Sequence, residues 1–124
     1  MIITEGTTVG HKASNGYPNV PQFFGEVALE GWRKVVEAVH EEGGKIVPQL
    51  WHVGAVRRLG TEPDGTVPAY GPTEKLKDGN VVVHGMSKQE IDEVIAAFAQ
   101  AAKDAKAIGM DGVEIHGAHG YLVD

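Results

Sequence analysis

The sequence predicts a parallel α/β fold, and three observations support this prediction. Three short apolar segments, each typical of a strand, alternate with two segments that have helical periodicity. Each connection between strands is long enough to cross over a sheet, as parallel pairing requires. The composition is that of a globular domain, with 42% hydrophobic and 23% charged residues in a chain of 124.

The first strand and first helix are predicted from the start of the chain. Residues 1–3 are apolar and predict a short buried strand that runs directly into a polar loop at Thr4. A helix is predicted from about Val27 to Glu42, ended by the glycine pair 43–44. Its apolar stripe has helical spacing and comprises Trp32, Val35, Val36 and Val39.

The middle of the chain predicts a second strand and then a long excursion, meaning a connecting segment between this strand and the second helix. Residues 46–51 are mostly apolar and β-rich, although Pro48 is unusual in a central strand because it has no N–H group. The excursion covers residues 52–86. Within it, the turn signal Asp78-Gly79 precedes residues 81–83, which are predicted to form one arm of a small hairpin.

The second helix has a sharp predicted start. Ser87 and Glu90 form a capping box, and Gly109 ends the helix. A third strand is predicted over residues 112–116. The helix is expected to bury Ile91, Val94, Ile95, Phe98, Ala102, Ala105 and Ile108.

Composition excludes several classes of function. Eleven basic and seventeen acidic residues give a net charge of −6 without any basic run, so nucleic acid is not an expected partner. No apolar stretch approaches the roughly 18 residues of a membrane helix. The absence of cysteine excludes disulfides, thiolate zinc sites and iron–sulfur clusters. The first residues resemble neither a signal peptide nor a transit peptide, which predicts a cytoplasmic location.

Polar and aromatic residues follow each predicted strand, and the carboxyl ends of parallel strands meet at one rim. At the end of the third strand, two imidazoles and a phenol could hydrogen-bond to one substrate, polarise a carbonyl or nitro oxygen and supply a proton. The residues predicted at this rim are Thr4, Glu5, Gly6, Thr7, Gln49, Trp51, His52, His116, His119 and Tyr121.

Other interpretations of these residues remain open. His116 and His119 could ligate a metal in a hydrolase, but their spacing differs from the i, i+4 helical motif and no third ligand is evident, so no metal is expected. Packing alone would explain Trp32, and Trp51 could be either core or site. His52 and Glu114 are expected to have structural roles. The loop or surface histidines are expected to be His11, His40 and His84.

Several motifs resemble segments of the Old Yellow Enzyme family, the flavin-dependent ene-reductases. They occur in the family's order and at similar spacings across nearly 120 residues, and they are most similar to the bacterial branch that reduces enones and nitro or nitrate-ester compounds. The segments are residues 2–7, 16–19, 49–54, 68–72 and the run His116-Gly117-Ala118-His119-Gly120-Tyr121-Leu122.

The resemblance implies a (β/α)8 TIM barrel with non-covalent FMN, reduced by NADPH or NADH, that passes hydride to an activated alkene. It implies that Gln49 and the Gly6 backbone contact the flavin. His116 and His119 would bind the electron-withdrawing oxygen of the substrate, and Tyr121 would protonate the α-carbon. Tyr17 and Trp51 would line the substrate pocket.

The resemblance covers roughly strands 2 to 4 of the barrel with two connecting helices, so residues 1–124 are expected to be an internal fragment of a single FMN-binding domain. The chain has no phosphate cradle. Where the family commonly has arginine, this chain has Ala55, followed by Arg57 and Arg58. The alternative hypothesis is a truncated, catalytically inactive α/β fragment, which is expected to self-associate through its unpaired edges.

Overall fold

A computed structural model describes all residues, 1–124, as two three-stranded sheets and two α-helices. The 16-residue and 20-residue helices connect the strands of the main sheet. In chain order the elements are β1 (Ile2–Thr8), α1 (Glu26–Glu41), β2 (Ile46–Trp51), a 3-10 turn (Gly54–Val56), β3 (Ala69–Gly71), β4 (Lys75–Lys77), β5 (Asn80–Gly85), α2 (Lys88–Ala107) and β6 (Glu114–Ile115).

The main sheet is parallel with strand order β1-β2-β6, which confirms the predicted parallel α/β fold. The core lies between one face of this sheet and the two helices, where Ile46 and Leu50 of β2 join Val36 of α1 and Ala101 and Ala105 of α2. The other face of β2 is therefore free to carry a site.

The first strand differs from its prediction. β1 does not end at Thr4 but continues to Thr8, and its apolar start is exposed while Thr7 and Thr8 are buried. The polar end can be buried because the Thr7 hydroxyl donates to the carbonyl oxygen of Gln49 at 3.0 Å. Thr4 to Thr7 consequently lie within the strand rather than beyond it.

Pro48 is buried in the middle of the central strand, and the neighbouring strand adapts to it. Ile3 pairs with Val47 and Gly6 pairs with Gln49, so two residues of β1 oppose the single proline. This is a β-bulge, and it occurs where Pro48 cannot donate a ladder hydrogen bond. The Thr4 hydroxyl accepts instead from the N–H of Gln49 at 3.0 Å.

The second sheet, with order β3-β5-β4, contains the predicted hairpin. Asp78 and Gly79 both have positive φ, 51° and 77°, as a two-residue type I′ turn requires. The capping box of α2 is also confirmed: the N–H of Glu90 donates to the Ser87 hydroxyl at 3.2 Å, and the N–H of Ser87 donates to the Glu90 carboxylate at 2.8 Å.

Two packing predictions are wrong in part. Ile91 and Ile95 of α2 were expected in the core but are 42% and 59% exposed, as is Val35 of α1 at 42%. The buried surface of α2 is centred on the small residues Ala101 and Ala105, which allow close approach to β2. The third strand, β6, is two residues long rather than the predicted five. No helix is both long and apolar enough to cross a membrane.

Candidate active site

The face of the sheet opposite the helices carries the candidate site. Side chains alternate along a strand, so Gln49 and Trp51 lie on this face while Leu50 packs in the core. Gly6 of β1 and Glu114 of β6 are both in register with Gln49. His116 follows β6, and its N–H donates to the carbonyl oxygen of Leu50 at 3.0 Å.

Trp51 is the centre of an aromatic cluster. Its indole is 8% exposed and stacks with the ring of Tyr17, with centroids 5.6 Å apart and an interplanar angle of 16°. The ring of His116 stacks with the indole at 6.0 Å and 19°. Tyr121 meets it edge-on at 5.0 Å. Tyr17, Trp51 and the last loop of the chain are thus brought together as predicted.

The two imidazoles and the phenol of that loop are mutual neighbours. The ring centroid of His116 lies 5.1 Å from that of His119 and 5.0 Å from that of Tyr121. His119 has a φ of 65°, in the left-handed region that few residues other than glycine adopt, and Gly120 follows with 73°. This backbone turn brings all three rings to one place.

The loop is fixed by hydrogen bonds that its own backbone N–H groups donate. The N–H of Leu122 donates to the carbonyl oxygen of His52 at 3.1 Å, and the N–H of Gly120 donates to the Asp124 carboxylate at 2.7 Å. A Cβ atom at Gly54 would lie 2.8 Å from the Leu122 backbone, so glycine is required there for the close approach.

The two tyrosine hydroxyls, of Tyr17 and Tyr121, are 3.1 Å apart and hydrogen-bonded. This bond raises the pKa of Tyr121 above its ordinary value, with burial adding to the effect. Tyr121 is therefore a phenol at neutral pH, and it carries a proton that can be donated.

Gln49 and Gly6 lie beside the cluster rather than in it. The side-chain amide of Gln49 donates to the Glu114 carboxylate at 2.6 Å, which gives Glu114 the structural role expected for it. One amide N–H and the carbonyl oxygen of Gln49 remain available. A Cβ atom at Gly6 would lie 2.6 Å from the Trp51 ring, so the indole packs directly on that backbone.

The predicted rim includes residues that the structure places elsewhere. Thr4 and Thr7 bond to the β2 backbone, and Glu5 is exposed, so none of the three contributes to the aromatic cluster. The indole N–H of Trp51 is buried and has no hydrogen-bond partner within the chain.

His52 forms a pair with His11 that sequence reasoning did not foresee. His52 is 1% exposed, its Nδ1 accepts from the N–H of Gly54 at 3.0 Å, and its Nε2 lies 2.9 Å from Nδ1 of His11. His52 must then carry its proton on Nε2 and donate it to His11. Burial lowers the pKa of His52 to about 3 and also lowers that of His11. Forty-one residues separate the pair, so no local pattern could reveal it.

The other two histidines expected at the surface lie within hydrogen-bonding distance of carboxylates. His40 lies 2.7 Å from Asp111, and His84 lies 2.9 Å from Glu90. No three His, Cys, Asp or Glu side chains are grouped so as to hold a metal ion, and His116 and His119 have no third partner of these types.

Comparison with known proteins gives one consistent result. The model of the NADH:flavin oxidoreductase / NADH oxidase family matches residues 1–124. The putative 12-oxophytodienoate reductase 4 of Oryza sativa subsp. japonica is 38% identical over 129 residues, covering 100% of this chain and 34% of the relative. The flavin oxidoreductase hxnT of Emericella nidulans is 42% identical over 134 residues, with the same two shares.

The fold agrees with solved structures of morphinone reductase. One of these, in complex with tetrahydroNAD, superimposes with a TM-score of 0.83 at 33% identity, covering 97% of this chain and 37% of that chain. Another gives a TM-score of 0.85 at 32% identity, covering 97% and 36%. The chain therefore spans about a third of the length of the curated relatives it matches.

Proposed function

Because this chain belongs to the NADH:flavin oxidoreductase / NADH oxidase family, we propose that the whole protein is an FMN-dependent oxidoreductase that reduces activated alkenes with NADH or NADPH. Enones are the proposed substrates, with nitro compounds and nitrate esters as further ones. Residues 1–124 contribute one part of a single FMN-binding barrel domain. The observation that carries the proposal is the convergence of two imidazoles and a protonated phenol on Trp51.

In this proposal His116 and His119 bind the electron-withdrawing oxygen of the substrate. Their rings are 5.1 Å apart, and neither makes a side-chain hydrogen bond within the chain, so both retain donors for one oxygen atom. Negative charge develops on that oxygen as the β-carbon is reduced. Two positioned donors lower the energy of this enolate, as in an oxyanion hole.

Tyr121 is the proposed proton donor to the α-carbon. Its raised pKa keeps the hydroxyl protonated, and the hydroxyl of Tyr17 lies 3.1 Å from it. The O–H bond of Tyr121 breaks as the C–H bond at the α-carbon forms. Tyr17 and Trp51 form the wall against which the substrate lies.

The residues beside the cluster suit a flavin ring. When bound, FMN supplies the hydride that reduces the β-carbon. The free N–H and carbonyl oxygen of Gln49 match the donors and acceptors of the ring's pyrimidine edge, and the backbone of Gly6 is in register beside them. These two residues would hold the ring through hydrogen bonds, with Glu114 fixing the orientation of the Gln49 amide.

The proposed reaction can be tested by separating its two half-reactions. The full-length protein, loaded with FMN, is reduced anaerobically with NADPH or NADH and then mixed with 2-cyclohexenone. We expect the flavin absorbance to return and cyclohexanone to form. Cyclohexanone itself, which has the carbonyl but not the alkene, is the matched control and should leave the flavin reduced. A flavin that stays reduced with the enone contradicts the proposal.

A second experiment addresses residues 1–124 alone. β1 and β6 each have only one neighbouring strand, and Ile2 and Ile115 are 49% and 54% exposed. We propose that this isolated chain self-associates, because unpaired edges and apolar side chains favour contact with a second copy, and that it does not retain FMN stoichiometrically. Sedimentation with a flavin titration tests this, and a monomer that binds one FMN tightly would contradict it.

A further inference from the structure

Arg57 is a buried cation without a carboxylate partner. The residue is 2% exposed, and no acidic side chain lies within ion-pair distance of it. Its guanidinium donates instead to backbone carbonyl oxygens on two sides. The acceptors are Asn15, Thr61 at 2.9 Å, Glu62 at 3.4 Å, Asp64 at 2.8 Å and Val67 at 3.2 Å.

These carbonyls belong to two loops that are distant in sequence. Four of them lie in residues 61–67, and the fifth belongs to Asn15, in the loop that carries Tyr17. The side chain of Asn15 strengthens the same connection, because its amide donates to the carbonyl oxygen of Glu62 at 3.4 Å. Arg57 is thus the main polar link between the two loops.

Asn15 connects this pair of loops to Tyr17 by a hydrogen bond. The N–H of Tyr17 donates to the side-chain oxygen of Asn15 at 3.1 Å. Gly16 packs against Val53, where a Cβ atom would lie 2.8 Å from the valine side chain. The phenol of Tyr17 then stacks on Trp51 and bonds to the hydroxyl of Tyr121.

We propose that Arg57 is a positioning residue that sets the placement of Tyr17 and thereby shapes the substrate pocket. This inference rests on the proposed function for its effect on substrate, but not for its effect on the loops. Only a planar guanidinium with five N–H groups can serve carbonyls in several directions at once, and a lysine ammonium has three donors on one atom. Arg57→Lys therefore tests the geometry while it keeps the charge.

The first test measures the loops without reference to activity. Hydrogen exchange of the full-length protein is compared for Arg57→Ala, Arg57→Lys and the matched control Arg58→Ala, since Arg58 is exposed and its side chain makes no hydrogen bond. We expect faster exchange in residues 11–19 and 57–67 for both Arg57 variants, and unchanged exchange in α2. Guanidinium chloride at millimolar concentration should slow exchange in Arg57→Ala, and urea at the same concentration should not.

The second test measures the pocket. We expect Arg57→Lys to raise KM for the enone about tenfold while kcat for alkene reduction falls less, because Tyr17 contacts substrate and Tyr121 remains in place. In a Tyr17→Ala background the same replacement should change KM by less than about twofold, since the two residues act through one contact. Unchanged hydrogen exchange in α2 serves as the criterion that the Arg57→Lys variant is folded.

Two results would overturn the proposal: exchange in residues 11–19 that matches the Arg58→Ala control, or an undiminished KM effect in the Tyr17→Ala background. A protein that reduces no enone refutes the proposed function, and the exchange experiment then still decides whether Arg57 orders the Tyr17 loop.

Discussion

The two ends of the main sheet use polar groups in opposite ways. At the amino end, the Asp111 carboxylate accepts from His40 at 2.7 Å, from Lys45 at 3.0 Å and from the N–H of Ile46 at 2.9 Å. At the carboxyl end, the rings of His116 and His119 make no hydrogen bond within the chain and lie beside other aromatic rings.

This difference separates stability from chemistry. The Asp111 carboxylate, with three contacts, ties α1, the start of β2 and the turn before β6 together, and it has less capacity left for a ligand. The ring N–H groups of His116 and His119 have no partner within the chain, so they remain available to a substrate. In barrel enzymes the carboxyl end of the strands is the catalytic end, and the amino end maintains the fold.

The largest expected effect is that of Tyr121→Phe at the carboxyl end. Loss of a positioned general acid should slow alkene reduction by about 10² to 10⁴-fold, while flavin reduction by the nicotinamide is nearly unchanged. Stopped-flow measurement of both half-reactions checks this. Tyr17→Phe, which keeps the ring and removes the neighbouring hydroxyl, is the control and should slow the alkene step much less. Equal slowing of both half-reactions would argue against the proton-donor role.

A smaller effect is expected for binding. His116→Ala and His119→Ala should each weaken a phenolate inhibitor by about 10- to 100-fold, since charge-assisted hydrogen bonds contribute roughly 1.5–3 kcal/mol. The flavin spectral shift on titration measures the affinity. His84→Ala, which removes an imidazole outside the cluster, provides the comparison. An affinity unchanged in the double variant would mean that the imidazoles do not hold the oxygen.

At the amino end the expectation is reversed. Asp111→Asn should lower the urea midpoint and leave the half-reactions unchanged. The hydrogen bond from His40, with those from Ile46 and Lys45, holds the pKa of Asp111 well below its ordinary value. The stabilisation is therefore present above about pH 4 and is lost as pH falls below it. Urea unfolding of both proteins at pH 7 and pH 3 tests this, and an equal midpoint difference at both values would contradict it.

The smallest expected effect concerns the capping box of Ser87 and Glu90, which lies at the start of α2. It sharpens the comparison because these polar groups are already hydrogen-bonded to each other, although they are not at the amino end of the sheet. Ser87→Ala should cost about 1 kcal/mol, as typical N-cap losses do, without altering catalysis. Hydrogen bonding from the Ser87 backbone lowers the pKa of Glu90 to about 2, so the cap is complete above the ordinary pKa near 4.5 and weakens as pH falls toward 2. Thermal melts at pH 7 measure the loss, and Ser87→Asp, which retains an N-cap oxygen, should show little of it.

Local rules predicted the elements whose causes are local. The capping box at Ser87 and the Asp78-Gly79 turn each depend on residues within one turn of chain, and both are present as predicted. The extent of β1 was missed because its polar threonines are satisfied by β2. The high strand propensity of threonine was the available signal.

The sequence predicted which residues form the candidate site, but not the hydrogen bonds that connect them to the rest of the fold. Motif residues identified Tyr17, Trp51 and the last loop, and the structure brings them together. Nothing in the sequence indicated that Arg57 would join two loops through backbone carbonyls, because carbonyl groups are the same at every position. The hydrogen bond from the Gln49 amide to Glu114 was not anticipated because 65 residues separate the two side chains.

The bulge opposite Pro48 has a consequence for anyone who recombines this strand with that of a relative. Because of the extra residue in β1, Gly6 is in register with Gln49 and its backbone packs against the Trp51 ring. Deleting one residue between Ile3 and Gly6 would shift the remainder of β1 by one place and turn every later side chain to the opposite face. A chimera of this protein and a relative must therefore take Pro48 and the additional residue of β1 from the same parent.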